Sequence, residues 1–308
     1  MKQIKQLLQL GMLLACGLLA SCSSDDELTG GNGTPLPDGE YPIEFSTTME
    51  GLTTRATVDG AWDGGEQVAV SINNAATVPF AAAANGTLTP NTPIYWQTNT
   101  QSITAKAWSP ASWTMQTDQS TEANYKAADF IFAPTIPITY ATRNAANLTF
   151  SHKTAKVTAT LTAGEGVSSL TGATVSFYGY TSGAADIDNG TIAGSTNGWV
   201  KAYNSTGSTF NALLIPNSLT AQKFLVITLG GYDYYYTPAT LTLEAGKLYS
   251  FNITVSKTGL TVNVTSSPTW TDSGNIYDVP GSYETGVTVT GGGTWGSGEN
   301  HDVTGTEQ

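Results

Sequence analysis

Leu248-Tyr249-Ser250-Phe251-Asn252-Ile253-Thr254-Val255-Ser256 places Tyr249, Phe251, Ile253 and Val255 on one side of an extended chain. Ser250, Asn252, Thr254 and Ser256 fall on the other. A repeat of two belongs to a strand with one face in a core and one in water. Lys257-Thr258-Gly259 then turns the chain into a second alternating run of Leu260, Val262 and Val264. Working upstream, the same grammar recurs. Tyr41, Ile43, Phe45 and Thr47 oppose Pro42, Glu44 and Ser46, and Val68, Val70 and Ile72 end at Asn73-Asn74. Further strands are predicted at 94–96, 103–108, 130–132, 150–161, 175–180, 210–215 and 224–229. Residues 187–192 carry a hairpin turn at Asn189-Gly190, and Gly230-Gly231 turns the chain into 232–237. No segment sustains a helical period. The expected fold is all-β, two tandem antiparallel β-sandwich domains of transthyretin-like or Greek-key type.

Ala163-Gly164-Glu165-Gly166 breaks the long strand before it and is the expected boundary, giving domains at 41–165 and 166–270. Residues 22–40 read as a flexible linker, because Ser, Asp, Gly, Asn and Pro leave almost nothing apolar to bury. Residues 271–308 are a Gly-rich tail whose apolar alternations are Ile276-Tyr277-Asp278-Val279 and Val287-Thr288-Val289. The 308 residues carry 12 basic and 24 acidic side chains, a net charge of −12. That balance argues against nucleic acid as a partner and against a polybasic membrane patch. Only 12% of residues are charged, and Thr- and Gly-rich, charge-poor sequence is typical of extracellular β proteins.

The N-terminus has its own logic. Lys2 and Lys5 precede an apolar run over 7–20, and Leu19-Ala20-Ser21 leads into Cys22. This reads as a signal peptide over 1–21, too short to span a membrane. It resembles the lipobox of bacterial lipoproteins, in which the cysteine is acylated and becomes the mature N-terminus. Cys22 is therefore the expected lipidation site, with palmitate-type acyl chains holding the protein to the cell outer membrane. Ser23-Ser24-Asp25-Asp26-Glu27 resembles an acidic tag for surface exposure, or is a solvated spacer. Cys16 leaves with the signal, so no disulfide is expected.

Catalytic patterns find little here. His152 and His301 are too few and too differently placed for a triad or a zinc site, and no G-x-S-x-G, H-E-x-x-H or P-loop occurs. Asp186-Ile187-Asp188-Asn189-Gly190 lacks the glycine spacing and closing acid of a calcium loop and reads as a turn. No enzyme activity, cofactor or metal is expected. Tyr232, Tyr234, Tyr235 and Tyr236 form an aromatic run that could stack on sugar rings if exposed, although alternation sends part of it inward.

Leu52-Thr53-Thr54-Arg55-Ala56-Thr57 followed by Trp62-Asp63-Gly64-Gly65-Glu66-Gln67-Val68-Ala69-Val70 resembles the fimbrillin-like (Mfa-like) family of type V pilins. Asp129-Phe130-Ile131-Phe132-Ala133 is similar to its D-[LF]-[LI]-x-A strand, and Phe150-Ser151-His152-Lys153-Thr154-Ala155-Lys156-Val157 to its F-x-H-x-x-A-K strand. Leu243 through Gly246 to Tyr249, with Trp270, matches its L-x-x-G-x-x-Y…W ending. The resemblance implies a lipoprotein subunit of a fimbrium that supports adhesion. A trypsin-like, arginine-specific surface protease would cut between Arg55 and Ala56, releasing the first strand with Tyr41, Ile43 and Phe45. A strand from a like or related subunit would fill the vacated groove, and Ile276, Tyr277, Val279, Val287 and Val289 are the expected donor residues. Head-to-tail completion of that kind makes an open fibre. The alternative is a monomeric lipid-anchored adhesin or tip subunit that binds a glycan or host protein.

Overall fold

The computed structural model of the chain describes residues 33–50, 62–267, 277–278 and 287–290. Its first core is built by β1 (Phe45–Met49), β2 (Gln67–Ile72), β3 (Val78–Ala82), β4 (Thr87–Pro90), β5 (Ser102–Ser109), β6 (Ile131–Thr139) and β7 (Asn147–His152). Hydrogen bonding runs β1-β4-β3-β2-β5-β6-β7 and returns to β1, so the sheet closes into a barrel. Closure depends on β1, which lies antiparallel to β4 and parallel to β7. The interior is narrow and filled by Phe45, Val68, Val70, Phe80, Leu88, Ile103, Leu148 and Phe150, with Ala105, Ala107 and Ala133 where strands crowd. A short helix, α1 (Glu122–Ala127), is capped by Thr121, whose hydroxyl accepts the Asn124 N–H. A 3₁₀ turn over Tyr140–Ala145 links β6 to β7.

The second core follows. Its strands are β8 (Ala155–Ala163), β9 (Thr174–Asp186), β10 (Thr191–Lys201), β11 (Tyr203–Asn204), β12 (Thr209–Leu214), β13 (Asn217–Thr220), β14 (Leu225–Leu229), β15 (Tyr232–Tyr236), β16 (Thr240–Leu243), β17 (Leu248–Ser256), β18 (Gly259–Ser267), β19 (Tyr277–Asp278) and β20 (Val287–Thr290). One sheet runs β10-β9-β14-β15-β20 and the other β11-β12-β8-β17-β18-β19, while β13 and β16 form a ribbon of their own. The decisive alternation of the sequence is β17, with Tyr249, Phe251, Ile253 and Val255 buried. Phe251 meets Phe177 of the facing sheet at 6.2 Å and Phe224 at 5.3 Å, which makes this half a sandwich around aromatic rings.

The passage between cores differs from the sequence reading. β8 pairs with β12 and β17, so the chain leaves the barrel at Lys153-Thr154 rather than at 165/166. The glycines at 164 and 166 serve a tighter purpose. A Cβ on Gly164 would collide with the Ser256 side chain, and Gly166 holds φ at +75°. They let the exit of β8 pass close beside the end of β17. Trp108, Phe130 and Phe132 of the first half are buried in the second core, so the two cores share a packed wall.

Candidate functional site

β1 and the residues leading into it place their odd-numbered side chains inward, as the alternation requires. Ile43, Phe45, Thr47 and Met49 are each no more than 5% exposed, while Glu44, Ser46 and Thr48 face water. Burying Ile43, Phe45 and Met49 contributes roughly 2 kcal/mol apiece. Phe45 packs on Phe80 with ring centres 5.5 Å apart. Thr47 is buried but satisfied: its hydroxyl donates to the Gly86 carbonyl at 2.9 Å and accepts from the Trp62 indole N–H at 2.8 Å. On the outer side, Ser46 Oγ donates to the Ala146 carbonyl and Thr48 Oγ1 lies 3.1 Å from Thr149 Oγ1. Backbone bonds from Ser46 to Ala146, Thr47 to Gly86 and Glu50 to Phe150 tie both edges. Without β1, β4 and β7 would face each other across a groove with unpaired backbone and exposed apolar wall.

Arg55 and Ala56, the expected cleavage pair, lie outside the described residues, as do Cys22, Ile276 and Val279. Trp62, where the described residues resume after Arg55, is 3% exposed and packs edge-on against Phe150 at 5.8 Å. The connection from β1 to β2 therefore begins and ends on buried anchors. Arg143 sits in the 3₁₀ turn, half-buried, where its Nη1 donates to the Tyr140 carbonyl at 2.7 Å. Of the expected donor residues, Tyr277 falls in β19, paired with β18, while Val287 and Val289 fall in β20, paired with β15.

Asp129, His152 and Thr154 form a buried polar cluster where the barrel hands over to the second core. His152 Nδ1 lies 3.0 Å from one Asp129 oxygen, and Thr154 Oγ1 donates to the other at 3.2 Å. Thr154 is fully buried, so no substrate reaches it. The cluster fixes β7 against the segment before β6, a structural role for a histidine read from sequence as structural. Nearby, Lys126 pairs with Asp63 and Glu122, which raise its pKa, and burial lowers that of Lys153. Among the described residues, no group of three or more His, Cys, Asp or Glu side chains is placed to hold a metal ion.

The tyrosine run splits as its spacing demands. Tyr234 and Tyr236 are buried in the second core, whereas Tyr235 lies on the outer face. There it meets Trp199 at 6.2 Å and carries Lys223 Nζ 3.9 Å above its ring. Tyr178 packs edge-on against Trp199 at 5.5 Å, and Trp199 remains 38% exposed. Sequence reasoning missed Trp199, because an isolated tryptophan carries no sign of which face it takes.

A fimbrillin-like family model matches residues 54–270, most of the chain. The protein belongs to the fimbrillin-like family. Two solved structures resemble it in fold. One, a proposed cell adhesion protein from Bacteroides uniformis ATCC 8492, is 18% identical, with 77% of this chain and 100% of that one covered at a TM-score of 0.60. The other, a proposed cell adhesion protein from Bacteroides ovatus ATCC 8483, is 16% identical, with 77% and 97% covered at 0.56. A search of curated proteins finds no match. Membership in the fimbrillin-like family makes this chain a pilus or adhesion subunit of the cell surface. Its fimbrillin-like motifs now have physical roles. The Asp129 and His152 motifs meet in one buried contact. In the Leu243–Tyr249 motif, Tyr249 Oη accepts the Glu244 N–H at 3.0 Å, closing the turn that Gly246 makes at φ +71°.

Proposed function

We propose that the chain is a non-enzymatic structural subunit of a fimbrium, exported as an outer-membrane lipoprotein acylated at Cys22 and assembled by strand exchange. A surface protease cuts after Arg55, the segment ending in β1 leaves, and a strand from a like subunit takes its place between β4 and β7. One observation carries this reading: the inward face of β1 is buried, the strand is paired on both sides, and it is joined to β2 through residues 51–61, which include Arg55. A cut there leaves β1 held by non-covalent contacts alone. β-Augmentation supplies affinity through the backbone and specificity through alternate side chains.

Treating residues 22–308 with an arginine-specific protease tests it. The expected outcome is a single cut after Arg55 by intact mass, followed by ladders on unheated detergent gels. A clean cut that leaves only monomer overturns assembly by exchange. A second reading, glycan adhesion, is favoured by the exposed Trp199 beside Tyr178, Tyr235 and Lys223. Binding to a glycan array that Trp199→Ala abolishes would support it, and no binding by the intact chain would remove it.

A further inference from the structure

β1 is only half of what holds the N-terminal segment. Residues 34–43 run antiparallel to 94–99, with bridges at Pro35–Thr98 and Pro42–Tyr95. Four backbone bonds join them, from Leu36 to Gln97, Ile43 to Ile94, Trp96 to Tyr41 and Asn99 to Thr34, at 2.8–3.1 Å. Tyr41 stands at the junction of this run with β1, and its neighbours belong to the part of the molecule that a cut in 51–61 leaves behind. Tyr140 meets it edge-on at 5.6 Å, and Trp96 meets Tyr140 edge-on at 6.0 Å. The Arg143 guanidinium lies 3.7 Å from the centre of the Tyr140 ring and 5.5 Å from that of Tyr41.

Arg143 does not depend on Tyr41 for its position. Its bond to the Tyr140 carbonyl fixes it, and the turn beneath it is locked by a reciprocal cap between Thr139 and Thr142. A cleft of about 390 Å³ opens beside it, lined by Tyr41, Pro42, Glu44, Phe45 and Arg143 among others. A fixed guanidinium between two rings attracts the negative face of an aromatic side chain and offers no such pull to an aliphatic one. Departure of the N-terminal segment therefore empties a seat with a chemical preference, as well as a groove.

We infer that Trp96, Tyr140 and Arg143 form an aromatic-selective seat at the head of the β1 groove, filled by Tyr41 before cleavage and by Tyr283 of a second copy afterwards. This rests on the strand-exchange reading above. The occupant follows from pattern. Tyr283-Glu284-Thr285-Gly286-Val287-Thr288-Val289 repeats the layout of Tyr41-Pro42-Ile43-Glu44-Phe45-Ser46-Thr47, a tyrosine followed by groove-filling residues at every second position. The run that begins at Tyr277 is stopped by Pro280-Gly281. Laid in the same direction, Tyr283 takes the seat while Thr285, Val287 and Val289 take the places of Ile43, Phe45 and Thr47. Val287 fills less volume than Phe45, so the tyrosine carries a larger share of recognition in the exchanged strand.

The test uses the chain cut within 51–61, freed of its N-terminal fragment and titrated with a fluorescent peptide of residues 34–50. Failure of this peptide to rebind removes both strand exchange and the seat. Given rebinding, Tyr41→Phe should hold affinity within about twofold and Tyr41→Leu should weaken it about tenfold. Arg143→Ala in the cut chain should erase the gap between those two peptides, and Arg143→Lys should restore part of it. A peptide of residues 281–290 should compete for the same groove and lose about tenfold on Tyr283→Leu. Equal binding of the leucine peptides, or a tail peptide that does not compete, overturns the seat while leaving strand exchange standing.

Discussion

Arg55 and Arg143 are the two arginines of this chain, and a trypsin-like enzyme has no chemical reason to prefer either. Conformation protects Arg143. Arg143 lies in a capped 3₁₀ turn with its guanidinium on Tyr140, a backbone that cannot extend into a protease cleft without unfolding locally. Brief digestion of the intact protein should therefore yield no cut after Arg143, and the Thr139→Ala, Thr142→Ala double variant should gain one, read by intact mass. Tyr234 makes a second residue-scale case. Its hydroxyl is buried with no hydrogen-bond partner among the described residues, a cost of about 1–3 kcal/mol. Tyr234→Phe should raise the urea midpoint by the equivalent of about 1 kcal/mol. Burial also raises the pKa of Tyr234 and Tyr249 above the ordinary tyrosine value. Both stay neutral in the folded state where the unfolded chain would ionise, so their contribution is intact below pH ~10 and is lost as pH rises further. A pH–stability profile should fall on that alkaline side, and less steeply in Tyr234→Phe.

Among elements, β1 closes the barrel, because it joins β4 to β7. Phe45→Ala should cost about 3–5 kcal/mol through the cavity it leaves, and Thr48→Ala, on the wet face, well under 1 kcal/mol, both by urea unfolding. The inward face of β1 was legible in the sequence because a half-buried strand writes its orientation every second residue. So were β17 and the turn between β9 and β10 at Asn189-Gly190. Closure of the barrel was not. The parallel contact of Ser46 with Asn147 spans a hundred residues, and nothing local in either strand records the other. The early end of the first core was hidden for a related reason: β7 and β8 are separated by two residues, so one alternating run covered both. The seat around Arg143 also escaped notice, since 3₁₀ turns carry no periodic signal and Trp96 comes from a segment distant in sequence from the turn that holds Tyr140 and Arg143.

At the scale of the molecule, the two cores are joined by more than the chain. The tip of the β9–β10 hairpin reaches the barrel, where Asp188 pairs with Lys106 at 2.6 Å and Gly190 lies flat against the Phe132 ring. Gly190 also holds φ at +70°, so any side chain there is both strained and obstructed. Gly190→Ala should lift the hairpin off the barrel and split the melting curve into two transitions by calorimetry. Asp188→Asn, whose carboxylate is largely solvated, should leave one transition at nearly the original temperature. Strand β1 carries a further consequence, a mechanical one. Its hydrogen bonds to β4 and β7 lie crosswise to its length. A pull along that length strains all of them at once, whereas a sideways pull would peel them singly. Any strand seated there in the same manner is loaded in shear, and its resistance to flow is set by how slowly the whole set lets go rather than by how tightly it binds at rest.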